Sequence, residues 1–209
     1  MLGGFLATRM LPFTSLTFLV AQADSTKSEY PGWNTEDHYP LIGPDAMVGR
    51  TNWALGQIGN PDYIGWIADD NRFETPGWDE QVVKFLRKKA GGVVYGNDVV
   101  SPGSKPSHVF MDARIPRALG WFLHPELRST FFDDCWMTIG KELGTLQYLP
   151  DVVIEHRYVE KDNRDDFSHD KAVYEHWIRH DLESDISKIR RSLRTKRATL
   201  PASLTARAT

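Results

Sequence analysis

The chain contains very little cysteine: among its 209 residues there is one, Cys135. A single cysteine excludes a disulfide-bonded scaffold and a zinc site built from several thiolates. No segment recurs along the chain at a fixed period, which excludes solenoids and propellers. The length suits one well-packed domain, and 25% charged with 41% hydrophobic residues fits neither a polytopic membrane protein nor a disordered chain.

Long hydrophobic runs are also scarce, and the main candidate, residues 11–23, is too short to cross a bilayer. This run ends in Ala-Gln-Ala at 21–23 and has Arg9 upstream, so it resembles a secretory signal with a small-residue cleavage site. The alternative is a buried β-strand over residues 15–21, which is rich in β-branched and aromatic side chains. Because threonine and serine interrupt the apolar run, we favour the strand and a cytoplasmic protein over a secreted one.

Acidic residues are absent from residues 186–209, which hold seven basic residues. The formal net charge of the chain is −3, so without those seven charges the remaining residues carry −10. An acidic globule with a basic end is not the charge pattern of a dedicated nucleic-acid-binding domain. The sequence predicts a single domain over residues 1–193 and a disordered basic tail over 194–209, which has no apolar periodicity.

Several familiar catalytic signatures are missing. The sequence has no Gly-x-x-x-x-Gly-Lys-Ser/Thr loop, no Gly-x-Ser-x-Gly elbow, no Gly-x-Gly-x-x-Gly and no His-Glu-x-x-His. Cys135 falls in a helical pattern beside Trp136, which indicates a buried side chain and not a nucleophile.

Strand and helix patterns alternate along the chain, which predicts an α/β domain with helices layered on a sheet. The polar segment 24–44 is predicted to be a loop. Thr75 is expected to cap the second helix, with Pro76 in its first turn. The predicted strands are 15–21, 63–68, 92–97, 107–111 and 148–155, and the predicted helices are 44–58, 75–91, 116–119, 134–143 and 166–193.

Acidic and amide side chains follow the apolar strand 63–68, at Asp69, Asp70 and Asn71. Ligands of open α/β sheets bind beyond the carboxyl ends of strands, so charge at this position is noteworthy. The oxygen ligands of this triplet suit Mg²⁺ or Mn²⁺ and not zinc. The alternative is an acidic turn, because Asp and Asn are favoured in turns.

Four further residues are placed where chemistry could occur. Asp98 and His156 each follow a predicted strand, although a turn and a solvent-facing histidine are the simpler interpretations. Asp133 and Asp134 precede a predicted helix, where a carboxylate can cap the free N–H groups or, with a raised pKa, act as a general base.

The order of these segments resembles that of small GT-A glycosyltransferases, many of which are encoded by phages. Residues 63–78, YIGWIADDNRFETPGW, resemble the hydrophobic strand, Asp-rich DxD-type triplet and Pro-Gly-Trp of that group. Residues 92–98 resemble the next strand, and 119–122, LGWF, the acceptor-side motif. Residues 132–136, FDDCW, resemble its Asp-Asn-x-Trp segment, and 148–156 the late strand whose histidine helps hold the metal.

This resemblance implies a GT-A-like mixed sheet and an enzyme that transfers a sugar from a nucleoside diphosphate sugar to an acceptor hydroxyl. It implies that Asp133 is the catalytic base beside Asp134, which is expected mainly to cap its helix. It implies a divalent cation, Mn²⁺ or Mg²⁺, on Asp70, Asn71 and His156, and an acceptor such as a modified DNA base or a glycan. The implied nucleotide-sugar-binding residues are Asp69, Asp70, Asn71, Arg72, Asp98, Gly120 and Trp121.

Two features depart from the family pattern. Asn71 stands where the family carries an acidic metal ligand, and a neutral amide attracts a cation less strongly. The first βα unit, which holds the nucleotide base, has no counterpart before residues 15–21. Two alternatives therefore stay open: a catalytically impaired remnant that acts as a binding or structural domain, and a metal-dependent nucleotidyltransferase or hydrolase.

Overall fold

Seven strands make up two sheets in the computed structural model, which describes residues 18–23, 38–43, 46–68, 70–157 and 164–194. The strands are β1 (Phe18–Ala23), β2 (His38–Gly43), β3 (Tyr63–Trp66), β4 (Asn71–Phe73), β5 (Val93–Asn97), β6 (Val109–Asp112) and β7 (Leu146–His156). The main sheet has the order β3-β6-β5-β7-β4, and β1 and β2 form a separate parallel pair.

Strand directions in the main sheet are mixed. The strand β6 runs antiparallel to both of its neighbours, β3 and β5, and β5 runs parallel to β7. The short edge strand β4 is antiparallel to β7. As a result β3, β5 and β7 all end at one edge of the sheet, which we call the carboxyl edge.

The described residues also form six helices. They are α1 (Met47–Gln57), α2 (Trp78–Lys88), α3 (Arg114–Leu119), α4 (Phe132–Glu142), α5 (Arg164–His180) and α6 (Leu182–Arg194). No helix of the described residues combines the length and the apolar character needed to span a membrane.

The apolar core lies on both faces of the main sheet, as the alternation of side chains along a strand requires. Val93 packs in one cluster with Trp136 and Ile139 of α4. The next residue, Val94, packs in a second cluster with Trp78 of α2 and Ile154 of β7. The mixed α/β architecture with helices covering a sheet is therefore confirmed.

The amphipathic pattern of α2 shows why that helix forms where it does. Trp78, Val82 and Leu86 recur at four-residue spacing and are buried. The prediction that Thr75 caps this helix is wrong, because Gly77, with φ 71°, occupies the cap position. The Thr75 hydroxyl instead donates to the Asp151 carbonyl at 3.0 Å and accepts from the Val153 N–H at 2.7 Å, which joins the start of α2 to β7.

The single helix predicted over 166–193 is two helices, α5 and α6, which meet at Asp181. The break lets Trp177 and Ile186 enter the same core cluster, and the indole N–H of Trp177 donates to Asp185 Oδ2 at 3.0 Å. No glycine or proline marks this break in the sequence. The predicted basic tail, apart from Arg194 in the last turn of α6, lies outside the described residues.

Two strands were not predicted. Residues 38–43, within the segment 24–44 interpreted as a loop, form β2. Residues 71–73 form β4. The strand predicted over 15–21 is confirmed for the part described, since β1 begins at Phe18.

Candidate functional site

Asp70 and His156 lie together at the carboxyl edge although 86 residues separate them in the sequence. His156 Nε2 is 3.4 Å from Asp70 Oδ2. The contact follows from strand pairing, because Asn71 at the start of β4 is the partner of His156 at the end of β7. The structure thus confirms that these two strand-end residues converge, while Asp69 lies outside the described residues.

Backbone hydrogen bonds fix the same region from two sides. The N–H of His156 donates to the carbonyl of Asp98 at 3.0 Å, and the N–H of Arg157 donates to the carbonyl of Asp70 at 3.0 Å. The carboxylate of Asp98 is buried and accepts from the Ser101 N–H at 2.8 Å, so it also holds a turn. We call Asp70, Asn71, Asp98 and His156 the strand-end cluster.

A buried histidine that sequence reasoning missed, His108, supports this cluster. His108 is fully buried, and its Nε2 accepts from the Gly96 N–H at 3.0 Å. Burial and, secondarily, the nearby His156 lower the pKa of His108 to about 3, so its ring is neutral at physiological pH. The signal that could have found His108 is its place directly before an apolar strand.

The β5–β7 pairing is irregular at Gly96, and the hydrogen bond to His108 satisfies the Gly96 N–H at this position. Gly96 pairs with Leu149, whereas the next residue, Asn97, pairs with Val153. A Cβ on Gly96 would lie 2.3 Å from the Val152 carbonyl oxygen, so only glycine permits this approach. The irregularity sets the register of the last residues of β7, which end in His156.

The ligand atoms in the strand-end cluster decide how well a divalent cation fits it. Asp70 Oδ1 is buried and, among the described residues, has no hydrogen-bond partner. A carboxylate oxygen with an unmet bonding capacity beside an imidazole nitrogen fits Mn²⁺ or Mg²⁺. No group of three or more His, Cys, Asp or Glu side chains placed to hold a metal occurs within the residues described, which omit Asp69.

Asn71 fits a cation less well than the resemblance implies. Its Oδ1 accepts from the Ala68 N–H at 2.9 Å, and its buried Nδ2 has no hydrogen-bond partner in the described part of the chain. The amide N–H is a donor, which repels a cation, so in this orientation Asn71 shapes the strand-end turn and does not offer a free ligand oxygen.

A second pair of carboxylates lies in the first turn of α4. Asp133 is half-buried, and its partial burial, followed by the charge of Asp134, raises its pKa to about 6. Asp134 forms an ion pair with Lys105 from the loop between β5 and β6, with Nζ 2.8 Å from Oδ2. The two carboxylates are thus in different environments, as the prediction of different roles requires.

The specific prediction that Asp134 caps α4 is wrong. The cap position is held by Phe131, with φ 62°, and no side chain forms a cap hydrogen bond there. Asp133 Oδ1 accepts the N–H of Asp134 at 3.0 Å, whereas the Asp134 carboxylate is engaged by Lys105. Both negative charges still lie where the dipole of α4 favours them.

A buried carboxylate on α5 holds the segment that leads into α4. Asp170 is fully buried and accepts the backbone N–H groups of residues 128, 129 and 130 at 2.8–2.9 Å. Hydrogen bonds from His169 and from these backbone groups keep the pKa of Asp170 below its ordinary value, against the effect of burial. Sequence reasoning missed Asp170, because its partners lie about 40 residues away.

The strand-end cluster and the α4 carboxylates lie at the same edge of the sheet. Trp66, the last residue of β3, contacts Phe132, the first residue of α4, with ring centroids 5.4 Å apart. Lys105 reaches Asp134 from the loop that begins at Asp98. Two groups of carboxylates therefore border one region beyond the carboxyl ends of the strands.

No family model matches this chain, and a search of curated proteins finds no significant relative.

The remaining predicted binding residues have other surroundings. Arg72 is exposed and pairs with Glu74, with Nε 2.7 Å from Oε1. Gly120, with φ 80°, ends α3 in a left-handed conformation that favours glycine. Trp121 is only 7% exposed and packs with Trp136 in the apolar core, so its ring is not available as a platform for a sugar.

Proposed function

We propose that this chain is a GT-A-type glycosyltransferase that moves a sugar from a nucleoside diphosphate sugar to an acceptor hydroxyl. The observation that carries the proposal is the meeting of Asp70 and His156 at the carboxyl edge, beside a helix that presents the half-buried carboxylate of Asp133. This edge is where α/β sheets bind nucleotides. The order of motifs along the sequence supports the same assignment.

Asp70 and His156 are the residues that would hold a divalent cation, Mn²⁺ or Mg²⁺. Such a cation, when bound, neutralises the charge that gathers on the diphosphate leaving group. Asp98 would contribute to the donor site mainly through the turn that its carboxylate holds and through its carbonyl, which fixes His156.

Asp133 is the proposed general base. With its pKa raised to about 6, its carboxylate is ionised at neutral pH and still basic enough to accept a proton. In the proposed step the acceptor oxygen bonds to the anomeric carbon, its proton passes to Asp133, and the bond from that carbon to the diphosphate oxygen breaks. Attack from the face opposite the leaving group inverts the anomeric configuration.

The acceptor is proposed only by class, as a hydroxyl group on a glycan or on a modified DNA base. We propose that the reaction takes place in the cytoplasm, where nucleotide sugars are made available. The acceptor class and the cytoplasmic location are both proposed from the family resemblance.

The direct test is to incubate the full chain with a panel of nucleoside diphosphate sugars and Mn²⁺ and to identify the nucleotide product. Release of nucleoside diphosphate supports glycosyl transfer, whereas release of pyrophosphate would indicate a nucleotidyltransferase. Donor binding without turnover would indicate the impaired remnant.

The matched variants are Asp133→Asn and Asp134→Asn. Loss of the general base should lower turnover by roughly 10²–10⁴. Asp134→Asn breaks a partly exposed ion pair and should have a smaller effect. If Asp134→Asn abolishes turnover and Asp133→Asn does not, the roles are exchanged.

A further inference from the structure

Two stretches of the sequence contain four or more basic residues and no acidic residue. One is 186–209, and the other is 81–97, which includes Lys84, Arg87, Lys88 and Lys89. Residues 98–185 separate the two stretches in the sequence. The remainder of the chain has an excess of acid, so both stretches stand out against it.

The fold brings the two stretches into contact. A methyl group on Gly91 would lie 2.4 Å from Leu193 Cδ1, so the glycine allows the end of α6 to pack closely on the turn after α2. The turn also requires φ +71° at Gly91, a conformation that favours glycine. The end of α6 therefore meets the turn that follows α2.

A buried ion pair secures this junction. Asp112 accepts from the Gly91 N–H at 3.2 Å and from Arg114 Nη2 at 2.7 Å. Arg114 Nη1 in turn donates to the Leu193 carbonyl at 3.2 Å. Because Arg114 balances the charge of Asp112, this carboxylate does not cancel the exposed cations around it.

Six basic side chains lie on the two segments that lead to this junction, and we call them the basic surface. All six are exposed, and none forms an ion pair with a carboxylate within the described ranges. By contrast, Lys188 pairs with Asp185, and Arg190 donates to the Glu142 carbonyl. The basic surface consists of Lys84, Arg87, Lys88, Lys89, Arg191 and Arg194.

We infer that the basic surface binds the phosphate backbone of a nucleic acid without reading its bases. Exposed Lys and Arg side chains without carboxylate partners, clustered on two segments that meet, are the electrostatic footprint of such binding. Insertion into an anionic membrane is disfavoured, because α6 buries Ile186 and Ile189 in the core and has no apolar face left for a bilayer.

The basic surface lies away from the candidate site. It adjoins the start of β5 at Val93, whereas Asp98 follows the end of that strand, and five strand residues span roughly 16 Å. The inference therefore does not rest on the proposed glycosyl transfer and would hold if that function failed.

The test measures binding of the full chain to a fluorescent 20-base-pair DNA duplex by anisotropy at several salt concentrations. If about four to six phosphates are contacted, affinity should fall roughly 10²–10³-fold between 50 and 200 mM salt. Binding that does not depend on salt would overturn the inference, as would the absence of binding at 50 mM salt.

Two double variants remove equal charge from different places. Arg87→Gln with Arg191→Gln should weaken binding about tenfold and reduce the salt slope by about 2. Lys171→Gln with Arg179→Gln removes two exposed cations from α5 and should change affinity less than about twofold. Melting curves check that both variants are folded.

Equal loss of affinity in both double variants would overturn the inference, because it would reflect total charge and not this surface. Vesicles containing phosphatidylserine form the second arm of the experiment. Capture of the chain by these vesicles, with the duplex left unbound, would assign the surface to a membrane and overturn the assignment to a nucleic acid.

Discussion

Asp133→Asn should stabilise the protein above pH 6 while it removes the proposed base. The carboxyl group of Asp133 has an ordinary pKa of 3.8, which the fold raises to about 6. Between these values the native state holds a proton that the unfolded chain has released, so stability falls as pH rises from about 4 to about 6. Asparagine has no proton to lose and should abolish this fall.

The magnitude can be worked out from the structure. A difference of one in pKa corresponds to about 1.36 kcal/mol, so the rise from 3.8 to about 6 corresponds to about 3 kcal/mol. The variant also loses the favourable interaction of a negative charge with the α4 dipole, which is worth about 0.3–1 kcal/mol. The net gain should be about 2 kcal/mol, or a rise in Tm of roughly 4–8 °C.

Urea denaturation of wild type and variant at pH 4.5 and pH 7.5 measures both the gain and its pH dependence. Asp134→Asn is the control, because it changes a neighbouring charge that is partly exposed and should alter stability by less than about 1 kcal/mol. A variant Asp133→Asn that is less stable than wild type at pH 7.5 would refute the reasoning, since the half-buried charge would then be stabilising.

Substitutions at His108, Asp170 and Asn71 test the supports of the site. His108→Leu should lose about 1–3 kcal/mol at pH 7, because the Gly96 N–H loses its acceptor, whereas His108→Gln should retain most stability. In the wild type, the unfolded His108 binds a proton between pH 6.5 and about 3 that the native state excludes, so stability falls as the pH is lowered through this range. Acid titration of His108→Gln should not show this fall. Asp170→Asn should cost at least about 2 kcal/mol by urea denaturation, and Asp166→Asn, more exposed on the same helix, less than about 1. Asn71→Asp should lower Tm in EDTA and strengthen Mn²⁺ binding in calorimetry; equal or weaker affinity would show that position 71 does not face the ion.

The convergence of Asp70 and His156 was predictable, because both follow apolar strands and the ends of such strands meet at one edge of a sheet. The helix α2 was predictable for a similar reason, since its apolar residues recur at helical spacing. In both cases the signal is local and is repeated over several residues.

The supports of the site were not predictable in this way. Asp170 accepts hydrogen bonds from three backbone groups about 40 residues away, and His108 accepts one from Gly96, and no local pattern encodes such partners. The break at Asp181 arises from tertiary packing of Trp177 and Ile186, without a glycine or proline to mark it. Three-residue β4 is too short to show a period, and pairing with β7 alone defines it.

The position of β7 also sets an order of assembly during synthesis. The strand β4 is an edge strand whose pairing partner is β7, the last strand of the sheet to leave the ribosome. A nascent chain that ends before Leu146 contains Asp70, Asp98 and Asp133, but nothing yet pairs with the strand that follows Asp70. Since pairing across such long stretches of sequence is slow, the candidate site should form in the final folding step.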